Sequence, residues 1–160
     1  MPTTAIGVLG NGTRVGWSSA SPQSYTTVAS VLEVTIPKIV ADEINKTTHS
    51  TGGFYRSFRG LKRVENVTLM LLGDHKSSRT ASHAALRNLQ RDGDTVWFRF
   101  EIPLDRNLAT SQCFAIIAQF YVRSWGPAAP IADRQTIEVV LGFDGDDVEF
   151  LEPVAFTLTA

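Results

Sequence analysis

Apolar and polar residues alternate along several segments of the chain, and this two-residue period restricts the fold more than any other feature. Successive side chains of a β-strand point to opposite faces of a sheet, so a strand with one buried face alternates in this way. The pattern therefore predicts a series of half-buried strands. The segments that show it are 67–71, 96–102, 114–122 and 137–143.

Weaker signals complete the predicted fold. Segment 27–36 is rich in β-branched residues and ends at Pro37, and segments 14–18 and 154–158 also have strand character. Residues 80–91 instead show helical spacing, and Asp92-Gly93 supplies a stop signal. These features predict a single domain over residues 1–160 that is mainly β. Its expected architecture is a sandwich or barrel of about seven or eight antiparallel strands with one flanking α-helix.

The composition argues against several classes of protein. The chain has 160 residues and a formal net charge of −1, whereas domains that grip nucleic acid usually carry a basic excess. No apolar run approaches the roughly 18 residues of a membrane span, so membrane insertion is not expected. The N-terminus lacks the pattern of a secretory signal. Cys113, the single cysteine, lies in an apolar run and is expected to be a small buried side chain in a reducing compartment.

No residue pattern in the sequence indicates catalysis. His49, His75 and His83 belong to no metal-binding motif, and we expect them to be solvent-exposed. The acidic stretch Asp144–Asp147 lacks the further oxygen ligands of a calcium loop, so we expect a hairpin turn there. The sequence therefore predicts no enzyme activity, no catalytic residues, no metal and no cofactor.

The segment from Ala41 to Leu61 separates two predicted strands by about twenty residues, far more than the usual connection in a compact domain. A polar half precedes Gly52-Gly53, and aromatic residues interleaved with arginines follow. Exposed aromatic side chains are costly, since burying a large apolar side chain contributes about 1.5–3 kcal/mol. We expect this long loop to be an arm that contacts a neighbouring subunit. Its candidate contact residues are Asp42, Thr47, His49, Phe54, Tyr55, Arg56, Phe58, Arg59 and Leu61.

The aromatic and basic cluster at residues 54–59 has other interpretations. Aromatic and arginine side chains stack on single-stranded nucleic acid, but they are also enriched at protein–protein contacts. The near-zero net charge favours a protein interface. A third alternative is that the aromatics pack on their own core. A monomeric β-sandwich that binds a ligand through this loop is the alternative function.

The order of these segments resembles the tail tube proteins of long-tailed bacteriophages. The resemblance covers residues 12–37, then the polar segment with its aromatic and the Gly60-Leu61 pair. It continues through the helix with the strand after it and the C-terminal strands of 114–150. Two departures are Ile36-Pro37, where the family often has Gly-Pro, and Lys62-Arg63, where an acidic residue is common. The tail tube fold is also shared with the inner-tube protein of bacterial secretion machines. The resemblance therefore extends to the tube of a prophage-derived particle.

The resemblance implies a structural subunit whose hexameric rings stack into a tube. Its expected partners are other copies, the tape-measure protein, and the tail terminator and tail-tip or baseplate proteins. DNA would pass through the lumen during ejection without tight binding, and the protein would reside in the virion tail after assembly in the host cytoplasm. Because lysine and arginine contacts to phosphate would hold DNA, we expect few arginines in the lumen. Glu33, Glu101 and Glu138 are the candidate lumen-facing residues.

Overall fold

One seven-stranded antiparallel sheet forms the body of the molecule, and a separate two-stranded sheet projects from it. The computed structural model describes residues 13–19, 24–28, 31–46, 52–53, 56–72, 77–104, 112–131 and 134–158. The elements are β1 (Arg14–Ser18), β2 (Thr26–Thr27), β3 (Val31–Val34), β4 (Ile39–Asn45), β5 (Ser57–Val64), β6 (Val67–Leu72), α1 (Ser77–Asp92), β7 (Thr95–Pro103), β8 (Gln112–Ile131) and β9 (Arg134–Ala155).

The strand order in the large sheet is β2-β1-β7-β8-β9-β6-β3. Val15 of β1 and Leu69 of β6 lie near opposite ends of this order, yet both are fully buried in the same core. The sheet therefore folds over on itself, so that both halves of one face enclose the core. This arrangement confirms the predicted mainly-β fold, and the described residues contain one helix and a two-stranded arm.

Four phenylalanines from three central strands occupy the middle of this core. Phe120 packs edge-on against Phe98, Phe100 and Phe143, with ring centroids 5.9–6.1 Å apart. Edge-to-face pairs at this separation are the favoured aromatic geometry. Helix α1 covers part of the core with Leu86 and Leu89, and its end at Asp92 is followed by Gly93 at φ 74°. The predicted helix is thus confirmed, with three more residues at its start and one more at its end.

Strand β9 runs through the acidic stretch Asp144–Asp147, so the predicted hairpin turn there is wrong. Phe120 pairs with Phe143 and Ala118 pairs with Val148, which leaves the acidic residues as a bulge in β9 opposite Gln119. The Thr95 hydroxyl donates to Asp144 Oδ2 at 2.7 Å, and the amide of Val148 donates to Asp147 Oδ1 at 2.8 Å. These two bonds hold the bulge in place, and bulges of this kind bend a strand.

Two other sequence-based predictions are corrected. Segment 27–36 is not one strand, because β2 pairs with β1 at one edge of the sheet while β3 pairs with β6 at the other. His83 is buried rather than solvent-exposed, because it lies three residues before the core residue Leu86 and thus on the same face of the helix. His49 and His75 lie outside the described residues. No helix in the described part of the chain has the length and apolar character needed to cross a membrane.

Candidate assembly surfaces

The arm predicted as a long loop is a β-hairpin, so the prediction of a loop is wrong in its local structure. Ile39 pairs with Val64 at the base, and Asn45 pairs with Ser57 further out. Within the described residues, these two strands contact each other extensively and the remaining elements only sparsely. Gly52 and Gly53 both have positive φ in a turn beyond the paired strands, a conformation that glycine adopts without steric cost. The hairpin therefore projects from the body of the protein.

The described side chains of this arm are mostly exposed. Leu61 is 83% exposed and Ile44 is 46% exposed, although both are large and apolar. A bulge in β5 places Gly60 against Asp42 and Ile44, where an added Cβ would lie 3.0 Å from the Asp42 carbonyl oxygen. Exposed apolar side chains on a projecting element indicate a surface for another molecule.

The candidate arm residues have different outcomes. Asp42, Arg56, Arg59 and Leu61 are exposed on the hairpin, and Asp42 lies 3.7 Å from Arg63 in a surface ion pair. The structure describes the backbone of Phe58, which pairs with Ile44. Thr47, His49, Phe54 and Tyr55 lie outside the described residues. The role of all these residues as subunit contacts stays a prediction.

The large sheet has two edge strands. Strand β2 pairs with β1 alone and β3 pairs with β6 alone, as far as the described residues show. An edge strand presents unpaired backbone groups that can bond to a strand of another chain. In a ring of subunits, each edge can therefore extend the sheet of a neighbour.

Glu101 does not face a lumen, because it is fully buried on the face of β7 opposite the core. Its carboxylate accepts hydrogen bonds from the amides of Thr157 at 3.0 Å and Leu158 at 2.7 Å. Arg99 Nε lies 3.3 Å from Glu101 Oε2 without the alignment of a hydrogen bond, so charge holds this pair together. The residues that follow β9 thus cover the outer face of β7, and the prediction for Glu101 is wrong.

The cover is completed by Arg14 and Gly16 of β1. The Arg14 guanidinium donates to the carbonyl oxygen of Leu158 at 2.7 Å and lies 4.1 Å from the centroid of the Phe156 ring. The Leu158 side chain is buried over Gly16, where any Cβ would collide with it. Glycine at position 16 therefore lets the Leu158 side chain lie directly on the strand, and a larger residue would displace it. Together these contacts fasten residues 156–158 to the sheet.

Glu33 and Glu138 are exposed and lie on one face of the sheet. Both are paired in register with Met70, which lies between them on β6, and Gly126 extends the row onto β8. The neighbouring positions on this face, Thr68, Thr136, Val140 and Ser124, are uncharged. The face opposite the core therefore carries carboxylates and no lysine or arginine at these positions. That these glutamates line a lumen stays a prediction.

Cys113 is fully buried, as predicted from its apolar surroundings, and its thiol donates to Glu101 Oε2 at 3.5 Å. Burial and the nearby carboxylate raise the pKa of the Cys113 thiol to about 11. Because the thiolate is the reactive form, we expect the folded protein to react with Ellman's reagent at pH 7.5 at least about a hundred times more slowly than in urea. Rapid labelling of the folded protein would show that the surroundings of Cys113 are open to solvent.

The described residues contain no group of three or more histidine, cysteine or acidic side chains arranged to hold a metal ion. What they do present is a folded sheet with two open edges, a projecting hairpin and an exposed acidic face. Open sheet edges and exposed apolar side chains are surfaces where another chain can pair or pack. The fold is that of tail tube proteins, and comparison with solved structures supports this.

The chain is similar to a subunit in the tail of an empty gene transfer agent particle with C6 symmetry, with 14% identity and a TM-score of 0.63 over 86% of this chain and 94% of that one. A chain in the sixfold-symmetrised baseplate of the anti-feeding prophage gives a TM-score of 0.65 at 10% identity, over 87% and 91%. The SPP1 tail tube gives 0.57 at 14% identity, over 85% and 75%. No protein-family model matches the sequence, and no curated protein matches it.

Proposed function

We propose that this chain is a single-domain structural subunit that assembles into stacked rings and forms the tube of a phage or phage-like tail. The arm carries this proposal, because a projecting hairpin with Leu61 83% exposed is incomplete as part of a monomer. The fold, shared with tail structures of sixfold symmetry, supports a hexameric ring. The proposal includes neither enzyme activity nor insertion into a membrane.

Two kinds of contact build the tube in this proposal. The edge strands β2 and β3 join neighbours within a ring. A contact between two different surfaces repeats from subunit to subunit, and it forms a closed ring when the rotations between successive subunits add up to a full turn. The arm joins one ring to the next along the tube axis. Contacts in this direction do not return to the first ring, so the tube grows by the addition of further rings. The two surfaces lie on different elements and can act simultaneously.

The proposal also includes what passes through the tube. The tape-measure protein occupies the bore during assembly in the host cytoplasm, and DNA follows it during ejection from the finished virion tail. The terminator and the tail-tip or baseplate proteins contact the two ends of the tube. The bore does not hold DNA, since the exposed Glu33 and Glu138 repel phosphate.

Purified protein at high concentration is expected to form rings or tubes in negative-stain electron micrographs. At a concentration at which the unmodified protein just assembles, the arm variant Ile44→Ser combined with Leu61→Ser is expected to remain a folded monomer in size-exclusion chromatography. Each substitution removes an exposed apolar side chain that a neighbour would bury, so together they are expected to weaken assembly by about tenfold or more.

The matched control is Leu104→Ser, which removes a 46% exposed leucine from the body of the protein. This variant is expected to assemble like the unmodified chain. A chain that stays monomeric at every concentration would overturn the proposal and favour the ligand-binding module. Tubes formed by the Ile44→Ser and Leu61→Ser variant would contradict the role of the arm.

A further inference from the structure

Residues 156–158 form a strap across the outer face of the sheet, and the contacts of this strap reach the edge strand β2. The side chain of Leu158 is buried over Gly16 of β1, which is the register partner of Thr27 in β2. A Cβ added to Gly16 would collide with Leu158 Cδ2 and would also lie 3.2 Å from the carbonyl oxygen of Thr26. Leu158 therefore packs against the pair formed by β1 and β2, beside the backbone of the edge strand.

A second set of contacts connects the strap to Tyr25, the residue directly before β2. The carboxylate of Glu101 accepts hydrogen bonds from the amides of Thr157 and Leu158 at 3.0 and 2.7 Å. The same carboxylate lies 3.3 Å from Arg99 Nε, and the Arg99 guanidinium lies 5.9 Å from the centroid of the Tyr25 ring, within the range of a cation–π contact. The Tyr25 hydroxyl is buried, and burial raises its pKa to about 12. One continuous network thus runs from the strap to the start of β2.

Strand β2 has few other attachments among the described residues. It consists of Thr26 and Thr27, and both pair with β1. Immediately after β2, the amide of Val28 donates to the carbonyl oxygen of Val15 at 2.8 Å, and the Val28 side chain is buried in the core. Short segments with few buried contacts open locally at a low free energy. The order of this edge therefore depends on the side chains that cover its outer face.

We infer that the strap is a latch for the edge strand β2. While the strap is docked, the edge is ordered for pairing with another copy, and when the strap is released the edge opens. The two events are coupled because each removes packing that the other needs. The inference rests on the proposed tube, since β2 is one of the surfaces that join subunits within a ring.

The latch also delays the exposure of an ordered edge until the chain is nearly complete. Arg14 of β1 and Leu158 of the strap bond to each other across 144 residues. A chain that has been synthesised only in part lacks the strap and does not present an ordered β2. An ordered edge strand is a template for pairing with any other chain, so the delay protects the incomplete chain from premature association.

Hydrogen exchange of the monomer tests the latch. The Leu158→Ala variant removes the side chain that packs on β1 and β2, and it is expected to speed exchange of the Val28 amide at least about tenfold through local opening. The reference is the Thr35 amide, which donates to the carbonyl oxygen of Thr68 at 2.9 Å beside β3. Because β3 is at the opposite edge of the sheet, exchange at Thr35 is expected to change by less than about twofold.

A second variant loosens the strap at a different contact. Arg14→Met removes the hydrogen bond to the Leu158 carbonyl oxygen, and it is expected to produce the same selective change at Val28. The matched control is Leu89→Ala, which removes a leucine of similar burial from helix α1, with 8% exposure against 3% for Leu158. This control is expected to lower the overall stability without a preference for Val28 over Thr35.

Assembly is measured separately, as the concentration at which rings or tubes appear. Both strap variants are expected to raise this concentration at least about tenfold, and more than Leu89→Ala does, because an opened edge does not pair. Equal changes at Val28 and Thr35, or no change at either, would overturn the latch and leave the tube intact. Selective exchange at Val28 in a chain that never assembles would support the coupling and overturn the tube. Selective exchange with unchanged assembly would overturn the control of ring formation by the strap.

Discussion

Replacement of Glu101 by leucine is expected to lower the free energy of unfolding by about 3–5 kcal/mol, because it leaves a buried arginine without its partner. Glu101 is fully buried, and its carboxylate accepts bonds from two backbone amides and faces Arg99. The variant loses all of these contacts while Arg99 stays buried. For a domain of this size the melting temperature is expected to fall by about 10 °C. Chemical denaturation and calorimetry measure the two quantities.

The control for this prediction is Glu149→Gln, which changes an exposed carboxylate on the same face of the sheet. Its effect on unfolding is expected to stay within about 0.5 kcal/mol. Replacing Arg99 and Glu101 together, by methionine and leucine, is expected to recover part of the loss, because removing both members of a buried pair is often nearly neutral. If Glu101→Leu unfolded like the unmodified protein, the network beneath residues 156–158 would not stabilise the fold.

The central strands were predictable because each buries one face in the core. Val67, Leu69 and Leu71 of β6 are fully buried, and the residues between them are only partly buried. Because every second side chain must be buried, apolar and polar residues alternate along the sequence of each strand. This alternation does not depend on the order of the strands in the sheet. The sequence therefore predicted these strands, but it did not predict which strands are neighbours.

The arm hairpin was predicted as a loop because its strands bury little beyond Val64 at the base. Ile44 and Leu61 are exposed, and charged residues occupy both faces of the pair. A strand with two exposed faces has no core to select its side chains, so no alternation arises. The sequence did indicate the projecting arm, because the segment is too long for a simple connection.

The error for Glu101 has a different cause. Strand β7 is buried on both faces, since Phe98 and Phe100 lie in the core while Arg99 and Glu101 lie under residues 156–158 and near Tyr25. Alternation of charged and apolar residues predicts one exposed face, and here the charged face is covered by segments distant in sequence. Such a cover leaves no local pattern. One related signal was present, because an isolated glycine such as Gly16 in a strand often marks a close approach of another segment.

The acidic bulge was predicted as a turn for a local reason. Asp and Gly in sequence are the strongest short signal for a hairpin turn. In the structure the same residues form a bulge, because β9 continues beyond it and pairs again with β8 from Val148 onward. The residue types fit both structures, and only the long-range pairing decides between them.

In the proposed tube, replacing both Glu33 and Glu138 by lysine is expected to make the tube retain DNA. Glu33 and Glu138 flank Met70 on a face with no lysine or arginine at the neighbouring register positions. The double variant adds two lysines per subunit, repeated around every ring, and several lysine contacts to phosphate change DNA affinity by orders of magnitude. Assembled tubes incubated with short double-stranded DNA are expected to retain it at low salt and release it steeply as salt rises.

Nuclease protection decides whether these residues lie in the lumen. DNA held in the bore is shielded from a nuclease, whereas DNA held on the outside is digested. The tubes with Glu33→Lys and Glu138→Lys are expected to contain protected DNA. The matched variant, Glu65→Lys with Glu152→Lys, changes two exposed glutamates outside this row, and DNA bound to it is expected to be digested. Digestion in both cases would place Glu33 and Glu138 on the outside of the tube, since the charge change is identical and only the position differs.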